Sequence, residues 1–139
     1  MDLSNIIEGL VATPGVFFVV SRPGVSAELR TNPGRFPEFQ AGGWAELSGT
    51  DWHTHVNLDM VQSVEFVEQH DHGTIPFLYY VSFLDHTGQT IIQAYFASPY
   101  LDEKEQPVEF QAEKLRLFQE MRDRFISKQG FSFVVRQGP

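Results

Sequence analysis

Two strand-like runs flank a tight turn in residues 76–96, PFLYYVSFLDHTGQTIIQAYF. Both runs are rich in aromatic and β-branched residues, which are typical of strands. Asp85 opens the turn between them, and Gly88 can adopt the left-handed backbone conformation that a bulged hairpin turn requires. The segment therefore predicts a long antiparallel hairpin, with strands over 76–84 and 90–96.

Further strand patterns precede the hairpin. They lie at residues 15–21, 25–30, 44–48, 52–58 and 62–69. A type II turn at 22–25 is expected to pair the first two runs, and 31–43, rich in Pro and Gly, predicts the longest irregular stretch. Residues 70–73, HDHG, are typical of a polar turn.

Two segments show helical spacing of apolar residues. A short amphipathic helix is predicted for 4–12, with Ser4 as its cap, and a longer one for 107–127. An edge strand is expected at 131–136. Strands followed by a helix predict one α+β domain over residues 1–139, a large antiparallel β-sheet with helices packed on one face.

Composition excludes several classes of function. The 139 residues are 42% hydrophobic and include no cysteine, so the chain can bury a core but cannot form thiolate zinc sites, iron–sulfur clusters or redox dithiols. The N-terminus lacks the basic start and apolar run of a secretion signal, and no apolar stretch approaches the roughly 18 residues of a membrane span. We therefore expect a cytoplasmic protein without a membrane partner.

Charge is distributed unevenly along the chain. The net charge is −8, and all ten Lys and Arg residues lie outside 36–103, a stretch that holds ten carboxylates and all five histidines. Nucleic-acid binding requires a basic stripe that neutralises phosphates, and the sequence shows none. Nucleic acid is therefore not an expected partner.

The most informative polar residues are His53 and His55, in the strand predicted for 52–58. Side chains two residues apart leave the same face of a strand, and imidazole is a common ligand of metal ions and of haem iron. They could be half-exposed histidines on an ordinary polar face, or a divalent-metal site completed by Asp51 or Asp59. A cupin would also use such a pair, but the glycine spacing here differs.

The sequence favours a binding module over an enzyme. It has no glycine-rich phosphate loop, no nucleophile elbow and no HExxH motif. The aromatic residues of the hairpin strands favour a core or an interface.

Four features occur in order between residues 43 and 125. They are HV at 55–56, VEFVE at 64–68, LYYVSFLD at 78–85 with its Gly88 turn, and IIQAYF at 91–96 before an amphipathic helix. In this order and spacing the chain resembles the haem-utilisation family of ChuX-, HutX- and HemS-like proteins. The resemblance implies an α+β fold and a cytoplasmic homodimer that binds haem, either to carry it or to assist its breakdown.

The resemblance also implies roles for individual residues. His55 matches the family's histidine on the strand before VEFVE, and is the candidate axial ligand of haem iron, with His53 as a second candidate. A tyrosine of the hairpin, Tyr79 or Tyr95, is expected to make an opposing contact. Arg35 is a candidate partner of the haem propionates.

Two positions depart from the family pattern. No histidine precedes His53, and FASP at 96–99 stands where the family has a Gly-Arg-like pair that can meet a propionate. Positive charge must then come from the C-terminal helix, from a dimer partner, or from Arg22, Arg30 or Arg35.

Three hypotheses therefore stay open. The protein binds haem or a related tetrapyrrole, it holds a divalent metal ion on His53 and His55, or it keeps the fold without a ligand and acts as an interaction or accessory protein. An enzyme that degrades haem would in addition need a reductant from a partner.

Overall fold

The computed structural model describes residues 1–31 and 35–138. The helices are α1 (Ser4–Ala12) and α2 (Ala112–Phe125), and short 3₁₀ turns cover Ala41–Gly43 and Leu58–Met60. The first five strands are β1 (Phe17–Arg22), β2 (Val25–Arg30), β3 (Glu38–Phe39), β4 (Trp44–Ser48) and β5 (His53–Asn57). The other four are β6 (Ser63–His72), β7 (Ile75–Leu84), β8 (Thr90–Tyr95) and β9 (Phe131–Arg136).

Six strands form the larger sheet, in the order β2-β1-β8-β7-β6-β9. The predicted hairpin is confirmed as β7–β8, with Tyr80 opposite Tyr95 and an irregularity between Phe83 and Leu84. Gly88 has a φ of 85°, the left-handed conformation that its turn requires. The predicted β1–β2 pairing is also confirmed, with Arg22 opposite Val25.

The smaller sheet has three antiparallel strands, in the order β3-β4-β5. Its register places His55 opposite Glu46 and His53 opposite Ser48. On the other face of the same strands, Ala45 and Leu47 are buried in the core. The alternation of a strand therefore separates the two histidines from the core.

Both helices pack on one face of the large sheet, which confirms the α+β prediction. The α1 residues Ile6, Ile7 and Leu10 are fully buried in the same cluster as Phe118 and Phe125 of α2. The sheet is mixed at its edge, because β9 runs parallel to β6 whereas the other neighbouring strands are antiparallel. A parallel β9 follows from the α2 crossover, which returns the chain to the end of the sheet where β6 begins.

The long helix begins later than its sequence pattern predicts. Pro107 pairs with Leu101 in an isolated bridge instead of opening a helical turn. The side-chain amide of Gln111 donates to the backbone carbonyl of Leu101 at 2.8 Å. This hydrogen bond holds the segment before α2 in an extended conformation. The helix therefore starts at Ala112.

Two local predictions need correction. The turn predicted at 70–73 begins only at Gly73, with a φ of 63°, because β6 continues to His72. Within that strand, His70 lies 2.6 Å from the Glu68 carboxylate and packs edge-on against Phe77. At the start of α1, Ser4 provides no side-chain cap; its N–H and hydroxyl instead donate to the Asp2 carboxylate, at 3.0 and 2.7 Å. The predicted irregular stretch includes residues 32–34, which lie outside the described residues.

Candidate functional site

The exposed face of the smaller sheet brings together three side chains that can bind an ion or a cofactor. The His55 Nε2 atom lies 3.4 Å from Glu46 Oε1 across the β4–β5 pair. The rings of His53 and His55 meet edge-on, with centroids 5.5 Å apart. One ligand atom from each of the three residues lies within 4.8 Å of the other two.

A wide cavity of about 660 Å³ lies beside His53. Its charged lining residues are Arg35, Glu38, Glu46 and Asp51. The cavity thus combines one cation with three carboxylates, and its overall potential favours a positively charged ligand. Arg35, the predicted propionate partner, lines the same cavity as His53.

A smaller cavity of about 210 Å³ lies beside His55 and is mostly apolar. Val20 of β1 and Ile91 of β8 line it from the large sheet, opposite Trp44 and Met60. The last two side chains are 43% and 59% exposed. An imidazole therefore borders an apolar recess whose rim is open to solvent.

Tight packing behind the site fixes the loop between β4 and β5. The Trp52 indole N–H donates to the Arg30 carbonyl at 2.8 Å, and the Gly49 N–H donates to the Trp52 carbonyl at 2.9 Å. A Cβ atom at Gly49 would lie 2.7 Å from the Arg30 carbonyl oxygen, so no larger residue fits. This packing holds β5 in register and so positions His53 and His55.

The third ligand that the structure offers differs from the two that the sequence suggested. The Asp59 side chain packs on the backbone of Gly43. A Cβ atom added to Gly43 would lie 2.3 Å from the carboxyl carbon of Asp59. Asp51 lines the wide cavity but is not part of the ligand group. Glu46 takes that position, since it lies directly opposite His55, and only the strand register reveals it.

Tyr79 and Tyr95 lie apart from the histidines, and line neither cavity. Tyr79 is buried on the core face against Phe118, with ring centroids 5.2 Å apart, while Tyr95 stacks on Phe17 and Tyr80 on the opposite face. Burial raises the pKa of both phenols to about 12. Both therefore stay protonated near neutral pH, which disfavours a tyrosinate ligand.

The other arginines that the sequence suggested have different surroundings. Arg30 lies over the Phe17 ring at 4.1 Å and pairs with Glu105 at 2.9 Å. Arg22 ends β1 at an exposed position. Of the three, Arg35 is the one that shares a cavity with a candidate ligand.

These features define a mixed-sheet α+β domain with an imidazole-bearing strand beside an apolar recess. A model of the ChuX/HutX-like family matches residues 4–126. The chain belongs to this family of haem-utilisation proteins. Among curated proteins, no relative matches the chain.

Solved structures share the fold at low sequence identity. The haem-binding protein ChuX has a TM-score of 0.64 and 13% identity, over 84% of this chain and 68% of ChuX. A protein from Agrobacterium tumefaciens has a TM-score of 0.61 and 24% identity, over 88% of this chain and 64% of its own. PhuS, a haem-binding protein from Pseudomonas aeruginosa, has a TM-score of 0.57 and 13% identity, over 86% of this chain and 33% of PhuS. This chain thus spans about one third of PhuS.

None of the helices among the described residues is both long and apolar enough for a membrane span.

Proposed function

We propose that this protein binds haem or a related tetrapyrrole beside β5, and carries it or assists its breakdown in the cytoplasm. The observation that carries the proposal is His55, a half-exposed imidazole at the edge of an apolar recess. Imidazole is a common protein ligand of haem iron, and the macrocycle requires apolar contacts. The haem-binding proteins that share the fold support the same chemistry.

The imidazole, the apolar recess and Arg35 fit such a ligand, whereas the carboxylates of Glu38, Glu46 and Asp51 would repel its propionates. The Nε2 atom of His55 would bind the iron, which is the electron-accepting centre that haem supplies. Trp44 and Met60 offer an aromatic and a thioether surface that is now in contact with solvent. The Arg35 guanidinium, in the adjoining cavity, would pair with a propionate.

The apolar recess is too small to enclose the whole ligand. Its volume of about 210 Å³ is below the roughly 300–1,000 Å³ of a typical pocket for a small molecule. Part of the macrocycle would therefore lie on the open face of the smaller sheet, next to Glu46 and His53.

Haem binding is tested by titrating haemin into the apoprotein and following the Soret band. The wild-type protein is expected to bind one haem per chain. His55→Ala is expected to weaken binding by at least tenfold, because even an outer-shell partner of a metal ligand contributes about 10- to 100-fold to affinity.

His86→Ala is the matched control, since His86 is an exposed histidine in the β7–β8 turn. It should leave the titration unchanged. A His55→Ala variant with the same Soret maximum and affinity as the wild type would remove His55 from the iron-binding role.

We also propose that the protein forms a homodimer, in which a second copy of the chain packs on the large sheet. On the face opposite the helices, the stacked rings of Phe17, Tyr95 and Tyr80 form an apolar stripe across three strands. The charges at its ends have partners within the chain, Arg30 with Glu28 and Glu105, and Arg136 with Glu65. One carboxylate per copy is left over, and the apolar contact of two such faces about a two-fold axis would have to outweigh its repulsion.

The homodimer is tested by light scattering after size-exclusion chromatography. The wild type should have twice the 15.9 kDa mass of the chain. Val19→Glu, on β1 at the stripe, should yield the monomer, because it would bury a carboxylate directly opposite Glu28 at the interface. Val135→Glu, 49% exposed on the other face of β9, should stay dimeric. A wild-type mass of 15.9 kDa would refute the proposal.

A further inference from the structure

The face that carries the proposed haem ligand also has the features of a site for a metal ion. Glu46, His53 and His55 come from two paired strands whose opposite face is buried. Their backbone positions are therefore fixed, and only side-chain rotation is needed to change the ligand geometry. Ligands on paired strands are held more precisely than ligands on loops.

The distances fit a small divalent ion. Zinc binds histidine nitrogens and carboxylate oxygens at about 2.0–2.2 Å with tetrahedral geometry, which separates two neighbouring ligand atoms by roughly 3.4 Å. The His55 Nε2 and Glu46 Oε1 atoms are 3.4 Å apart. All three ligand atoms lie within 4.8 Å, and His53 is exposed, so a rotation of its ring can complete the set.

The electrostatic surroundings favour a cation. Glu38 lies directly opposite Glu46 across the β3–β4 pair, and like charges at such positions destabilise a sheet. Asp51 adds a third carboxylate to the same cavity, against the single guanidinium of Arg35. A bound dication would offset the repulsion between Glu38 and Glu46.

From these observations, the geometry points to a binding site for a first-row divalent transition-metal ion, with Glu46, His53 and His55 as its three protein ligands. Two imidazoles and one carboxylate suit Zn²⁺ and its neighbours, rather than Mg²⁺ or Ca²⁺, which prefer oxygen alone. Three protein ligands leave a further position for water or a solute. The site goes beyond haem binding, because it uses Glu46 and His53 and requires no tetrapyrrole.

The site is tested by isothermal titration calorimetry, in which ZnCl₂ is titrated near neutral pH into protein without a histidine tag. One Zn²⁺ per chain is expected. Glu46→Gln and His53→Ala should each weaken binding by at least tenfold, since loss of a ligand should cost no less than loss of its outer-shell partner, about 10- to 100-fold. Glu46→Gln keeps the size of the side chain at a partly exposed position, so it should not affect folding.

The control is again His86→Ala, which removes one exposed histidine and should leave the Zn²⁺ affinity unchanged. Absence of saturable binding, or equal affinity in the wild type and both ligand variants, would overturn the assignment. The titration contains no haem, so its outcome is independent of the haemin experiment. Glu46→Gln distinguishes the two ligands further, because it should lose Zn²⁺ and bind haem at least as tightly as the wild type, since it removes a carboxylate that would repel the propionates.

Discussion

Phe118→Ala is expected to lower the free energy of unfolding by about 3–5 kcal/mol, the usual cost of truncating a buried phenylalanine. The Phe118 side chain is 1% exposed, and its ring lies 5.2 Å from Tyr79, 5.3 Å from Phe96 and 5.9 Å from Phe66. The ring thus joins α2 to the central strands of the large sheet. Its removal would leave a cavity that several rigid aromatic rings cannot close.

Chemical denaturation of Phe118→Ala and Phe110→Ala measures this effect against a control. Phe110 is 49% exposed, although its ring also contacts an aromatic neighbour, Tyr100. Its truncation should therefore cost less than about 1 kcal/mol. Equal losses in the two variants would mean that α2 is not anchored through Phe118.

The central hairpin could be predicted because its signals are local. The strand residues and the turn from Asp85 to Gly88 all lie within one short segment, and the turn itself specifies the pairing. The parallel pairing of β9 with β6 could not be read in this way. It depends on where α2 returns the chain, which is set by tertiary packing of residues such as Phe118 and Phe125.

The end of β6 shows how tertiary contacts can shift a turn along the chain. Asp and Gly at 71 and 73 favour a turn over 70–73, but only Gly73 is in it, and the strand continues to His72 while His70 gains a hydrogen-bond partner in Glu68 and an aromatic neighbour in Phe77. Phe77 belongs to β7, and its contact with His70 forms only once the two strands are paired. A single sequence does not contain that information.

The candidate site could be predicted in part, because part of its signal is local in the sequence. The two-residue spacing of His53 and His55 places both on one face of any strand, and the structure confirms that they share the exposed face of β5. Glu46 was missed, since six residues lie between it and His53 and only the β4–β5 register brings it opposite His55. The positions of Tyr79 and Tyr95 depend on which sheet face the helices cover, and this too is a tertiary property.

The two proposals assign His55 to both ligands, and they therefore predict a second large effect, a competition between Zn²⁺ and haem. One imidazole nitrogen cannot bind both ions, so Zn²⁺ must be displaced before His55 can bind the iron. At a free Zn²⁺ concentration of about 100 times its dissociation constant, the apparent haem affinity should fall by roughly 100-fold, as mass action requires. The Soret titration in the presence and absence of ZnCl₂ measures this change.

Glu46→Gln provides the decisive comparison for this competition. The variant keeps His55 and the apolar recess beside it, but loses the carboxylate that lies 3.4 Å from the His55 ring nitrogen. Its haem affinity should therefore be equal to or higher than that of the wild type, because a carboxylate that would repel the propionates is gone, and Zn²⁺ at the same concentration should hardly change it. If Zn²⁺ instead leaves the haem affinity of the wild type unaltered, the two ligands do not share His55, and the metal ion and the haem iron must be bound by different residues.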